Sequence, residues 1–67
     1  MEKMEFEKLF KSTVKRNKDV RLHLISRFDE SFITVDKIVP SSGNKFYIYL
    51  KGGCIGLINC ETVFAIN

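Results

Sequence analysis

The sequence changes character at residue 19. Residues 1–19 hold ten of the nineteen charged side chains and a single β-branched apolar residue, Val14. Residues 20–67 hold eleven valines and isoleucines and only nine charges. Straight-chain charged residues suit a helix, and β-branched and aromatic ones suit strands. A chain written this way is constrained to one helix followed by strands. No repeat, low-complexity tract or linker interrupts it, so the break separates elements of one domain spanning residues 1–67.

The first segment reads as a helix over about residues 3–17. Phe6, Leu9, Phe10 and Val14 fall at the i, i+3, i+4, i+8 spacing of one apolar face. Glu5, Glu7, Lys8, Lys11 and Lys15 cover the other side. Acidic residues crowd the start and basic ones the end, which suits the helix dipole. Asn17 is placed to end the helix in a left-handed turn. Five strands follow, at about 20–26, 32–39, 45–51, 54–59 and 62–66. Val20, Leu22 and Leu24 alternate with Arg21 and His23, and Phe46, Ile48 and Leu50 alternate with Tyr47 and Tyr49. Residues 27–31 read as a turn, and 40–44 as a loop. The alternation loses phase at Asp36-Lys37, the mark of a bulge or sharp bend. Gly52-Gly53 reads as a two-residue hairpin turn.

The expected fold is therefore α+β and mostly β: an N-terminal helix, then a five-stranded, strongly bent antiparallel small barrel. Closure removes exposed edges, and the helix caps one open end. A flat sheet with the helix across one face is the competing architecture.

Composition narrows the function classes. Thirty of the 67 residues are apolar, six of them Phe. That fills one compact core but leaves little for a deep ligand cavity, which argues against most metabolic enzymes. No serine or cysteine has a base partner identifiable in sequence, and His23 lies on the polar face of a strand, so no catalytic residue is expected. Two cysteines and one histidine cannot complete a four-ligand zinc site within one chain, so neither metal nor cofactor is expected. Cys54 and Cys60 read as reduced core thiols. No apolar run reaches membrane-spanning length and the charged start lacks a signal-peptide pattern, so the expected location is cytoplasmic, with no membrane partner.

Charge is the positive signal. Residues 1–27 carry eight basic and four acidic side chains, and residues 28–67 carry three and four, so +4 and −1 make the net +3. Lys15, Arg16 and Lys18, followed by Arg21, form a basic run where the helix meets the first strand. Such a run either tracks a phosphate backbone or is a solvated helix end. Lys45, Tyr47, Tyr49 and Lys51 share one face of the third strand, opposite Phe46, Ile48 and Leu50. Aromatic rings flanked by lysines suit base stacking with phosphate contact. Packing beneath the helix or against another subunit is the other reading of those tyrosines.

Taken together this layout resembles a small barrel of Sm-like or SH3-like type, and within the Sm-like fold the bacterial RNA chaperone family called Hfq. Phe10 to Lys18 resembles that family's helix end with its basic patch, and Val20-Arg21-Leu22-His23-Leu24 its first strand. Asn44-Lys45-Phe46-Tyr47-Ile48-Tyr49-Leu50 is similar to the third strand, and Leu57-Ile58 with Val63 and Ile66 to the fourth and fifth. The family's Tyr-Lys-His signature after the fourth strand, which lines a pocket for uridine-rich RNA ends, is replaced here by Asn59-Cys60-Glu61. The glycines usual in the first turn and second strand are replaced by Ser26-Arg27-Phe28 and Ser31-Phe32, and the 40–44 loop is longer.

The resemblance implies an RNA-binding ring oligomer, hexamer or heptamer, joined by pairing the fourth strand of one copy with the fifth of the next. It implies RNA contact by Lys15, Arg16 and Lys18 along the outer rim, in RNA chaperoning or post-transcriptional regulation. Two alternatives stand beside this reading. One is a small interaction module, such as a phage or host regulator, that meets an acidic protein surface; the other, weaker, is duplex DNA binding.

Overall fold

Helix α1 spans Lys3–Arg16 and is followed by strands β1 (Val20–Leu24), β2 (Ser31–Pro40), β3 (Lys45–Leu50), β4 (Ile55–Asn59) and β5 (Val63–Ile66). A single 3-10 turn, Cys60–Thr62, joins β4 to β5. This computed structural model describes residues 1–25 and 31–67. The expected turn at 27–31 therefore lies outside the described residues except for Ser31, which opens β2.

The apolar stripe of α1 centres one residue away from the expected line. Phe6, Phe10 and Thr13 are its buried residues, while Leu9 and Val14 are exposed. Thr13 tolerates burial because its hydroxyl donates to the Leu9 carbonyl one turn back, at 2.7 Å. The helix does not end in a left-handed turn: Asn17 is extended, with φ −117° and ψ 144°. Its N–H still closes the last turn on the Thr13 carbonyl at 2.8 Å.

The five strands form one antiparallel sheet in the order β4-β3-β2-β1-β5. Val20, Leu22, Val35, Phe46, Ile48 and Val63 are buried on its inner face. α1 lies on that face, and Phe6 meets Phe46 with ring centroids 4.7 Å apart. The bulge read at Asp36-Lys37 is present. Val35 pairs with Leu50 but Lys37 pairs with Tyr49, so Asp36 is the extra residue. A second irregularity leaves Phe64 without a partner on β1. The β3–β4 connection is longer than a two-residue hairpin. Gly53 N–H donates to the Leu50 carbonyl and Leu50 N–H to the Cys54 carbonyl, enclosing Lys51-Gly52-Gly53. Gly52 and Gly53 hold φ of 107° and 96°, values that glycine alone adopts without strain.

The sheet bends but does not close into a barrel. Four inter-strand spacings place the edges of a flat five-stranded sheet about 19 Å apart. The chain crosses from the end of β4 to the start of β5 in four residue steps, a reach of at most about 14 Å. The sheet must therefore curve to bring these two ends together. The opening that remains is filled by the 3-10 turn in place of a β-ladder. Cys60 is fully buried there. The Met1 amino group donates to the Cys60 and Val63 carbonyls at 2.9 and 3.1 Å. The helix packs against β1, β5 and the 3-10 turn, with Phe6 and Phe10 buried in the core. Cys54, expected in the core, is exposed beside the hairpin, and only Cys60 is a core thiol.

Replacing Phe6 with Ala is expected to cost about 3–5 kcal/mol, the range for deleting a buried phenyl ring. A domain this size holds roughly 3–10 kcal/mol in total. Urea titration followed by far-UV circular dichroism should show F6A largely unfolded, and V14A within about 0.5 kcal/mol of wild type.

Candidate functional site

The basic run at the end of α1 does not stand alone. Asp19, in the turn before β1, pairs with Lys51 of the β3–β4 hairpin at 2.9 Å. The Lys51 N–H also donates to the Thr34 carbonyl, and Thr34 is the cross-strand partner of Arg21. Lys18, Arg21 and Lys51 thus gather around a single carboxylate. The hydrogen bond and charge of Lys51 hold the Asp19 carboxyl below its ordinary value, with Lys18 and Arg21 adding to the effect. Asp19, and more weakly Asp36, raise the Lys51 ammonium in return. Lys15 and Arg16 extend this cationic patch along the last helical turn, both exposed.

Lys45, Tyr47 and Tyr49 lie on the outer face of the sheet, away from the helix. Two cross-strand rows define this surface: Val39, Tyr47 and Leu57, then Lys37, Tyr49 and Ile55. Tyr47 is 46% exposed. Tyr49 is half-buried beneath the Lys37 ammonium, which sits 4.6 Å from the ring centroid. The tyrosines therefore do not pack under α1. The structure brings the eight expected residues into two groups, Lys15, Arg16, Lys18, Arg21 and Lys51 in one, and Lys45, Tyr47 and Tyr49 in the other. The β2 bulge joins them. Asp36 acts electrostatically on Lys51, while Lys37, one residue on, covers Tyr49.

Sequence reasoning missed Lys37 as part of this surface. Its signal was the lost phase at Asp36-Lys37, because one inserted residue shifts all that follow to the opposite face. It also missed an aromatic cluster at the far end of the outer face. The His23 ring lies 5.7 Å from Phe32 and 6.1 Å from Phe64. Arg21 stacks over Phe32 at 5.6 Å. His23 Nε2 and Asn67 Oδ1 are 2.9 Å apart.

The stretch Asn59-Cys60-Glu61 is occupied with holding the corner together. The Asn59 side chain accepts the Glu61 N–H at 2.9 Å, and Glu61 accepts from the Asn44 amide at 2.6 Å. Burial pushes the Cys60 thiol up, so it is a poor nucleophile at neutral pH. Among the described residues no cluster of His, Cys, Asp and Glu is placed to hold a metal ion, and no helix is long and apolar enough to cross a membrane. Comparison with protein-family models, with curated proteins and with solved structures returns no match.

The Asp19–Lys51 pair has a defined pH window. A lowered carboxyl contributes stability above the ordinary aspartate value of about 3.9 and loses it as pH falls through the lowered folded value. A raised ammonium contributes below about 10.4 and loses its share as pH rises through the raised folded value. The melting temperatures of wild type and D19N should therefore differ slightly at neutral pH and converge in acid. Both groups are exposed, so added salt should shrink the difference. A gap unchanged at low pH would assign the effect of D19N to something other than this pair.

Proposed function

We propose that this chain binds single-stranded RNA and acts as a ring of identical copies of Sm-like type, in RNA chaperoning or post-transcriptional regulation. The observation that carries the reading is the convergence of the basic helix end with the tyrosine face through the β2 bulge. Lys15, Arg16, Lys18, Arg21 and Lys51 are the cations of one group, and Lys37 adds a cation beside the tyrosines. Asp19 and Asp36 are the acids interspersed among them. Such a surface tracks a phosphate backbone, and Tyr47 offers an open ring beside it for a base.

A helix followed by five antiparallel strands is compatible with the Sm-like layout. The ring rests on the two sheet edges. Leu50 and Cys54 are a hydrogen-bonded pair, so the alternation of an antiparallel ladder turns the Ile55 and Leu57 backbone groups away from β3. Their side chains are 61% and 53% exposed. At the other edge, Phe64 of β5 is 50% exposed. Pairing β4 of one copy with β5 of the next would satisfy both edges and cover these apolar side chains. Such head-to-tail contacts generate a ring when the rotation closes, as in a hexamer or heptamer.

The test is binding of a labelled uridine-rich RNA across a salt series. Replacing Lys15, Arg16 and Lys18 with Ala should weaken binding and lower the slope of log affinity against log salt by about 2. Asp19→Asn should act oppositely and tighten binding, since it frees Lys51. Tyr47→Ala should weaken binding by about 1–3 kcal/mol per stacked base with the slope unchanged. Unchanged affinity in the triple variant would remove the basic rim from the reading. Equal affinity for duplex DNA would replace the RNA reading with the DNA one.

A further inference from the structure

A groove runs between the second half of α1 and the β2 bulge, on the side of the helix away from β5. Phe10, Lys11, Val14 and Lys15 line it from the helix, and Asp36 and Lys37 from the bulge, around about 380 Å³. The four helical residues are spaced i, i+1, i+4, i+5, which forms one continuous stripe. Phe10 is almost wholly buried and supplies the floor, while Val14 is 47% exposed and forms a wall. An exposed valine beside a buried phenylalanine is an apolar surface with no partner. The groove's charged lining residues are Lys11, Lys15, Lys37 and Asp36. Among the described residues the only ion pair is Lys51–Asp19, and no carboxylate of those residues lies within 4.0 Å of the Lys11, Lys15 or Lys37 ammonium.

We infer that this groove docks an acidic peptide segment of a protein partner, one that carries aliphatic side chains among its carboxylates. The aliphatic groups would cover Val14 and the edge of Phe10, and the carboxylates would meet Lys11, Lys15 and Lys37. Two observations favour a peptide over a nucleic acid here. The groove presents no open aromatic face for a base, because the Phe10 ring is buried. Asp36 stands in the rim, where it opposes a continuous run of phosphates but accepts a peptide N–H. This inference goes beyond RNA binding and does not depend on it, although Lys15 and Lys37 belong to both surfaces.

Val14 separates the two, since RNA binding makes no use of it. The probes are a short fluorescent peptide of glutamate and leucine, a polyglutamate of equal charge, and the uridine-rich RNA, all read by anisotropy. The Glu–Leu peptide should bind the wild-type protein about tenfold or more tighter than polyglutamate. Val14→Gln, which keeps charge and helix propensity, should abolish that advantage, a loss of about 1.4 kcal/mol or more. Val14→Leu should retain it, and RNA affinity should be the same in all three proteins. Melting curves establish that both variants fold, as expected at a half-exposed site. Equal binding of the two peptides, or a Glu–Leu affinity indifferent to Val14→Gln, would overturn the proposal and leave only charge attraction. RNA affinity falling in step with Val14→Gln would overturn it in favour of a nucleic acid in the groove.

Discussion

The contact between Phe6 and Phe46 is the one on which the rest of the structure leans. Five strands of four to ten residues make a sheet whose inner face is apolar, and among the described residues one short helix covers it. Neither element is stable alone. A helix of this length is marginal in water, and an uncovered sheet face would associate indiscriminately. The two rings, 4.7 Å apart, tie the helix, which lies against β1, β5 and the 3-10 turn, to the core side of β3. The Thr13 hydroxyl, satisfied within its own helix, lets the next turn settle beside them.

The second constraint is the single extra residue in β2. Were Asp36 a regular member of the alternation that starts at buried Val35, Lys37 would point inward, among the core side chains, and Ile38 outward. Because Asp36 bulges out of the ladder, Ile38 returns to the core opposite Ile48 and Lys37 joins Tyr49 outside. The bulge also bends the strand, and with it the sheet, so that a 3-10 turn can carry the chain from one edge to the other. One backbone irregularity thus serves the curvature of the fold, the cationic cover over Tyr49 and one wall of the groove beside α1.

Much of this was legible in the sequence because it is local. The order of elements followed from the switch between helical spacing and alternation, and the bulge followed from a break in that alternation. Barrel closure was not legible. Whether β4 and β5 meet depends on what fills the corner between them, and that filling comes from Cys60 and the far end of the chain, Met1. The burial of Thr13 in place of Val14 turned on a small rotation of the helix about its axis. The Asp19–Lys51 pair joins residues thirty-two positions apart, with nothing in the spacing to announce it. The eight residues singled out from sequence are exposed or half-buried on the surface, but the bulge that relates their two groups became informative only once the cross-strand register was known.

The open edges are the part of this architecture that most needs a partner, and the central claim is that other copies of the chain supply it. The direct measurement is solution mass by light scattering on a sizing column, with absorbance at 260 and 280 nm read across the same peak. A six- or seven-copy species with excess absorbance at 260 nm is the predicted result. A monomer or dimer free of nucleic acid would contradict the ring.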